Sequence, residues 1–429
     1  MTQFSTQTND YLNNNKTIYE VVMLADKYGN LAGGTGGTSV DSFGRLRVGE
    51  PHTLFESFDR FGISGTRWNY ANTGNSSVVF ANNEGCVHMT LGTASSDSIL
   101  YETKKTFPYQ PGKSLLIMMT ATFAEPKANL TQRIGYYSSN NGIYLEQTDS
   151  SAYIVMRSIS TGSVNNNTII QTNWNVDTFD GNGPSGLTLD LTKSQIFWTD
   201  LEWLGVGSVR CGFVINGQMH IAHVFHHANL GTSTYMQTAC LPLRYEINNN
   251  GNTTSGSLMR KICSVVMSEG GYNQVSLSRS ASNPITGKNL ANSIRNPMVS
   301  IRLRDGRTDS VVVPSMISFY GLQSTAYKFY VMRNVTSLTG ASWTTVDSVS
   351  SVEYDISASA LTGGEVVFEG LFKGQDTVAP FDLTKSFNHT LQLTKTINQA
   401  NGDILTIAVE PTTNNDDAIV SLSWQEHTI

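Results

Sequence analysis

Val209-Arg210-Cys211-Gly212-Phe213-Val214-Ile215, then Asn216-Gly217, then Gln218-Met219-His220-Ile221-Ala222-His223-Val224-Phe225 reads as two β-rich runs around a two-residue turn. Asn-Gly between such runs is the favoured hairpin connection, because both central residues of that turn need positive φ. The register that follows sets Ile215 opposite Gln218 and Val214 opposite Met219.

The same texture extends outward. Leu115 to Phe123, Tyr153 to Ser158, Phe197 to Trp203, Leu243 to Ile247 and Ile262 to Met267 are further short apolar runs, several of them separated by Gly- and Asn-rich turns. Many short strands with such turns imply an antiparallel β-sandwich or jelly roll over residues 51–272. Residues 273–296 are rich in Ser, Asn and Gly and read as a linker, with one short helix around Leu290 to Ile294. From 297 to 429 a second, smaller β-sandwich is expected. Val299 to Arg304, Asp305-Gly306 and Arg307 to Val313 read as its first hairpin, followed by runs at Ala326 to Met332, Val346 to Ile356, Glu365 to Phe372, Ile404 to Val409 and Ala418 to Trp424.

Composition agrees with an all-β chain. Only 14% of the 429 residues are charged, and Asn, Ser, Thr and 37 Gly supply the remaining polarity. These residue types favour turns and are poor in helix interiors. A net charge of −6, without any run of Lys and Arg, argues against nucleic acid as a partner. No apolar stretch approaches the ~20 residues that span a bilayer, so no membrane insertion is expected. Met1 to Ser5 has neither a basic nor an apolar leader character, and folding in a cytoplasm is the expectation. Cys86, Cys211, Cys240 and Cys263 lack metal-ligand spacing and read as buried free thiols.

Residues 1–50 differ from the rest. Their short run Tyr19 to Leu24 and the Ala-Gly-Thr tract Ala32 to Thr38 hold too little apolar surface for a core. They read as an extended N-terminal arm that docks on a partner subunit through Tyr19, Val21, Val22, Phe43, Arg45 and Arg47.

Three constellations invite a chemical reading. His220, His223, His226 and His227 fall on a strand by the hairpin argument, and alternation places His220 and His226 on one face, His223 and His227 on the other. That separation reads as structural. Asp177, Asp180 and Asp190 flank the loop Asp180-Gly181-Asn182-Gly183-Pro184, which suggests calcium or sugar binding but lacks the EF-hand pattern. Gly181 to Gly186 matches a dinucleotide fingerprint as a string, yet the strand-like Leu187-Thr188-Leu189-Asp190-Leu191 follows where a helix is needed. Phe197, Trp198 and Trp203 read as core aromatics. No catalytic residue, cofactor or metal is expected from these motifs, and the chain is expected not to be an enzyme. Paired acids for glycoside cleavage pair in space, which spacing does not reveal.

Asp41-Ser42-Phe43-Gly44-Arg45-Leu46-Arg47-Val48, with Thr53-Leu54-Phe55-Glu56-Ser57, resembles the opening of a family of virion structural proteins of tailed phages, especially of marine and cyanobacterial hosts. Leu241-Pro242-Leu243-Arg244-Tyr245-Glu246-Ile247 and Lys261 to Tyr272 are similar to the end of that family's jelly-roll domain. The resemblance implies a structural part of the particle (tail fibre, baseplate or head-associated decoration), assembled in the host cytoplasm. It further implies other virion proteins as partners and a homo-oligomer, a trimer being favoured. The alternative is a receptor-binding module presenting a lectin-like jelly roll to host surface glycans.

Overall fold

The structure is a computed structural model. It describes residues 51–427 apart from 66, 272–275, 308–309, 377–379, 385–390 and 395–401. The arm residues Tyr19, Val21, Val22, Phe43, Arg45 and Arg47 lie outside the described residues.

Two antiparallel sandwiches follow one another along the chain. In the first, an eight-stranded sheet runs β14 (Gln218–Phe225), β13 (Val209–Ile215), β12 (Gln195–Leu201), β7 (Leu115–Thr122), β17 (Ser257–Ser268), β4 (Cys86–Leu91) and β3 (Ser76–Ala81), with β1 (His52–Phe58) also paired to β17. Facing it, a seven-stranded sheet runs β11 (Asn165–Ile170), β10 (Ser151–Ser158), β9 (Gly142–Thr148), β8 (Leu130–Tyr137), β16 (Leu243–Asn249), β5 (Ser98–Thr103) and β2 (Trp68–Thr73). A small pair, β6 (Phe107–Pro108) and β15 (Cys240–Leu241), lies beside them. Inward residues of both large sheets form one core, including Trp68, Tyr101, Phe197, Phe213 and Tyr245. Each such large apolar side chain contributes about 1.5–3 kcal/mol on burial.

The second sandwich pairs a five-stranded sheet with a six-stranded one. The former runs β18 (Leu277–Ser282), β30 (Asp416–His427), β21 (Val311–Gly321) and β28 (Phe381–Asp382), with β19 (Lys288–Leu290) also on β30. The latter runs β24 (Thr344–Thr345), β25 (Val352–Asp355), β20 (Asn296–Leu303), β29 (Ile404–Pro411), β22 (Ala326–Arg333) and β27 (Glu365–Lys373). A short ribbon joins β23 (Ser337–Thr339) to β26 (Ala360–Thr362). Stacked rings of Phe319, Tyr327, Phe329 and Phe372 fill its core.

The all-β sandwich architecture and the 209–225 hairpin stand as expected. Asn216 and Gly217 have φ of 53° and 75°, and Ile215 pairs with Gln218, Val214 with Met219. Three expectations are corrected. Much of the 273–296 stretch belongs to the second sandwich, since β18 and β19 are both bonded to β30. No helix forms at 290–294: Ser293 sits at φ 59°, and the Asn296 amide closes the turn by donating to Ala291 O (2.8 Å) and Ile294 O (3.1 Å). Nor do β20 and β21 form a hairpin around Asp305-Gly306. β20 pairs with β25 and β29, whereas β21 pairs with β30 and β28, so this turn carries the chain from one sheet to the other.

The sandwiches touch. Cys240 of the first packs on Val311 and Val313 of the second, and the Gln392 amide donates to Thr106 Oγ1 at 3.2 Å.

Candidate functional site: a polar cleft at the sandwich edge

β11 and β14 are the end strands of the two facing sheets in the first sandwich, and both lie at the same edge. Between β10–β11 and the loop that follows β14 there is a cleft of ≈ 330 Å³, lined among others by Ser158, Ser160, Asn165, Asn167, His226, His227, Ser233 and Tyr235. Strand alternation explains part of the lining: Asn165 and Asn167 are two apart and share a face of β11. On the other wall, Leu230 N and Gly231 N donate to His227 O at 3.0 and 3.3 Å, closing a turn. Tyr235 N donates to Gly205 O at 2.9 Å, which returns the loop against the sheet.

His227 stacks on Tyr235 with ring centroids 3.9 Å apart and planes 13° from parallel. Its Nδ1–H donates to Gly207 O at 2.7 Å, which leaves Nε2 as the acceptor of a neutral ring. Burial pushes the His227 pKa down and favours that neutral form. His226 Nδ1 lies 3.2 Å from Ser208 Oγ. Among the described residues, the lining holds hydroxyls, amides and imidazoles, and no carboxylate, Lys or Arg. Such a surface offers both donors and acceptors without net charge, beside a stacked aromatic pair. That chemistry suits a neutral polyhydroxylated ligand.

The four histidines are divided, though not as alternation alone suggests. A bulge leaves Ala222 unpaired, because Cys211 faces His223 while Gly212 faces Ile221. His220 and His223 therefore fall on the same, core-side face, opposite Phe213 and Cys211. His220 meets the Phe179 ring edge-on, and His223 Nδ1 accepts the Asn175 N–H at 3.2 Å. Burial, with the nearby His226, lowers the His223 pKa to about 4. Gly212 is needed at the bulge: a Cβ there would come within 1.9 Å of His220 O and 2.9 Å of the Trp198 ring. Phe197 belongs to the core, whereas Trp198 is buried on the other side of the sheet beside Gly212.

The acidic loop is turned in on itself. Buried Asp177 accepts from Phe179 N and Ser185 N, both at 2.9 Å, and Asp180 and Asp190 accept from Asn182 N and Thr192 N at the same distance. Those bonds shape the turns; the Asn182 N–H holds the Asp180 carboxyl below its ordinary range, and the Thr192 hydroxyl, donating at 2.6 Å, with the Thr192 N–H does the same for Asp190. Several other carboxylates are paired with arginine. On β9, β8 and β16, Arg133 bridges Glu146 (2.5 Å) and Glu246 (2.7 Å), Arg244 pairs with Glu102, and buried Arg210 pairs with Asp200 on β12. Cys86, Cys211 and Cys240 are buried and form no disulfide, as read from the sequence; Cys263 also forms none but is exposed, which corrects its assignment to the interior.

No family model and no curated protein matches this sequence. Solved structures similar to the chain include the catalytic domain of an endo-1,3-beta-glucanase (laminarinase) from Thermotoga petrophila, 14% identical, with a TM-score of 0.35, covering 52% of this chain and 100% of that one. A glycosyl hydrolase family 16 protein from Mycobacterium smegmatis is 9% identical, with a TM-score of 0.36, covering 50% and 99%. A structure from work on endo-acting O-glycanases of the human gut microbiota is 12% identical, with a TM-score of 0.37, covering 50% and 99%. The expectation that the chain is not an enzyme is withdrawn: it rested on missing motifs alone, and the structures found similar are titled as an endo-glucanase, a glycosyl hydrolase and work on O-glycanases. The likeness assigns neither activity nor substrate to this chain.

Proposed function

We propose that this chain is a structural component of a tailed-phage particle, attached through residues 1–50 and presenting two β-sandwiches. One observation carries the reading. Of the stretches that resemble phage virion proteins, Thr53–Ser57 and the run that starts at Lys261, about 200 residues apart in sequence, lie bonded side by side: Thr53 pairs with Met267, Phe55 with Val266 and Ser57 with Ser264. They form one structural unit, in which β1 leads from the arm to the middle of the eight-stranded sheet. The test is to delete residues 1–50 and follow incorporation by mass spectrometry of purified particles. The truncated chain is expected to keep its circular dichroism spectrum and melting temperature and to be missing from particles. Normal incorporation would remove the arm as the anchor, and absence of the intact chain from particles would end the reading.

A second reading is supported by the edge cleft, with its uncharged lining and His227–Tyr235 stack. It is that the first sandwich binds neutral glycans of a host surface. Full-length protein should bind such glycans on an array, and Tyr235→Ala should lower affinity tenfold or more, since a stacked ring contributes about 1–2 kcal/mol. Equal binding by the variant would dismiss the cleft.

A further inference from the structure

Away from the cleft, on the opposite end of the eight-stranded sheet, β3 turns into β4 through residues 82–85. Glu84 N and Gly85 N both donate to Ala81 O, at 3.1 and 2.8 Å, and Gly85 at φ 63° completes the reversal. The tight turn sets the Glu84 carboxylate back over β4. Along β4, Val87, Met89 and Leu91 enter the core, so Cys86 and His88 point together to the other face. Three different donor groups thereby meet. His88 Nε2 is 3.1 Å and Cys86 Sγ 3.8 Å from the same oxygen, Glu84 Oε2, and all three ligand atoms lie within 4.8 Å of one another.

We propose that Glu84, Cys86 and His88 form a binding site for a thiophilic divalent cation of the zinc type. Zinc bonds of ~2.0 Å to nitrogen and oxygen and ~2.3 Å to sulfur imply tetrahedral edges of roughly 3.3 and 3.5 Å. The separations of 3.1 and 3.8 Å from the Glu84 oxygen straddle those edges. A mixed sulfur, nitrogen and carboxylate set selects zinc over magnesium or calcium, which take oxygen ligands. Three protein ligands leave a fourth position for water.

Two local groups bear on loading. Arg260 on neighbouring β17 donates from Nε to Glu84 Oε2 at 2.6 Å and must yield that oxygen to the ion. The Cys86 thiol must lose its proton to solvent as the S–Zn bond forms.

The experiment uses the full chain stripped with a chelator and titrated with Co²⁺, then displaced with Zn²⁺. One equivalent of Co²⁺ is expected to produce a thiolate-to-cobalt absorption band in the near ultraviolet, bleached by Zn²⁺. Cys86→Ser should abolish the band and His88→Ala should weaken binding tenfold or more. Cys263→Ser, at the exposed thiol of β17, should leave both unchanged. A chain that gives no band, a band that survives Cys86→Ser, or one that is lost with Cys263→Ser would overturn the assignment. Circular dichroism of each variant guards against misfolding, and the Cys263 variant keeps the test decisive if the Cys86 variant fails to fold.

Discussion

Gly217 and Gly135 are both indispensable, for opposite reasons. Gly217 has open space around its missing Cβ but sits at φ 75°, so Gly217→Val meets only backbone strain, about 1–3 kcal/mol for a non-glycine residue held there. Gly135 has no such φ, yet a Cβ would lie 2.4 Å from Ile143 O and 2.6 Å from Tyr144 Cα on the adjacent strand. Backbone cannot step aside as a flexible side chain can, so Gly135→Ala is expected to lower the melting temperature more than Gly217→Val; the reverse order would refute this ranking. His223 yields a pH dependence. Its folded pKa of about 4 lies below the ordinary 6.5, so the unfolded chain takes up the proton first as pH falls. The stabilisation is whole above pH 6.5 and is lost as pH falls towards 4. Melting temperatures at pH 7.5 and 4.5 should differ more for the native chain than for His223→Gln. Equal differences would contradict a buried neutral imidazole.

Lys261 shows how a strand can hide its most consequential residue. It occupies an inward position of β17, fully buried, pairs with equally buried Asp59, and stands 4.5 Å above the Trp68 ring. Desolvation pulls its pKa down, opposed by Asp59. Lys261→Met leaves a buried carboxylate uncompensated and should cost about 3–5 kcal/mol in denaturant unfolding. Adding Asp59→Leu should recover much of that loss, whereas strictly additive costs would show that the two charges do not interact. In the sequence, Arg260-Lys261 is only a scattered basic pair, because nothing local states that its partner comes some 200 residues earlier. The same limit separates two turns of similar chemistry. Asn216-Gly217 and Asp305-Gly306 both reverse the chain, and both glycines have positive φ. Only the first joins strands that then pair with each other. Turn residues specify a reversal; partner choice depends on which apolar faces meet across the sandwich. The edge cleft was unreadable for that reason too, since β11 and β14, whose following loop forms the other wall, belong to different sheets. The histidines themselves were visible, but the Ala222 bulge that redistributes them, beside a Gly212 with no room for a Cβ, is a matter of how β13 and β14 pair.

Between the two sandwiches, Val311 and Val313 point away from the second core and onto Cys240, while Val312 between them enters it. Replacing both outer valines with Ser should weaken the joint and spare the cores. Calorimetry is expected to show one unfolding transition for the native chain and two for the variant; a single unchanged transition would mean that the joint carries no coupling. Connectivity also orders how the molecule is made. β17 is the strand that unites β1, β4 and β7, and β30 is the one that unites β18, β19 and β21. Each sandwich is therefore keyed by its last strand in chain order and stays open-edged until that strand leaves the ribosome. Translation at ~5–20 residues per second separates Ser268 from Asp416 by roughly 7–30 seconds. In that interval the finished first sandwich stands beside a second one whose middle is still missing, with the unpaired edges of β18 and β21 exposed to any neighbouring nascent chain.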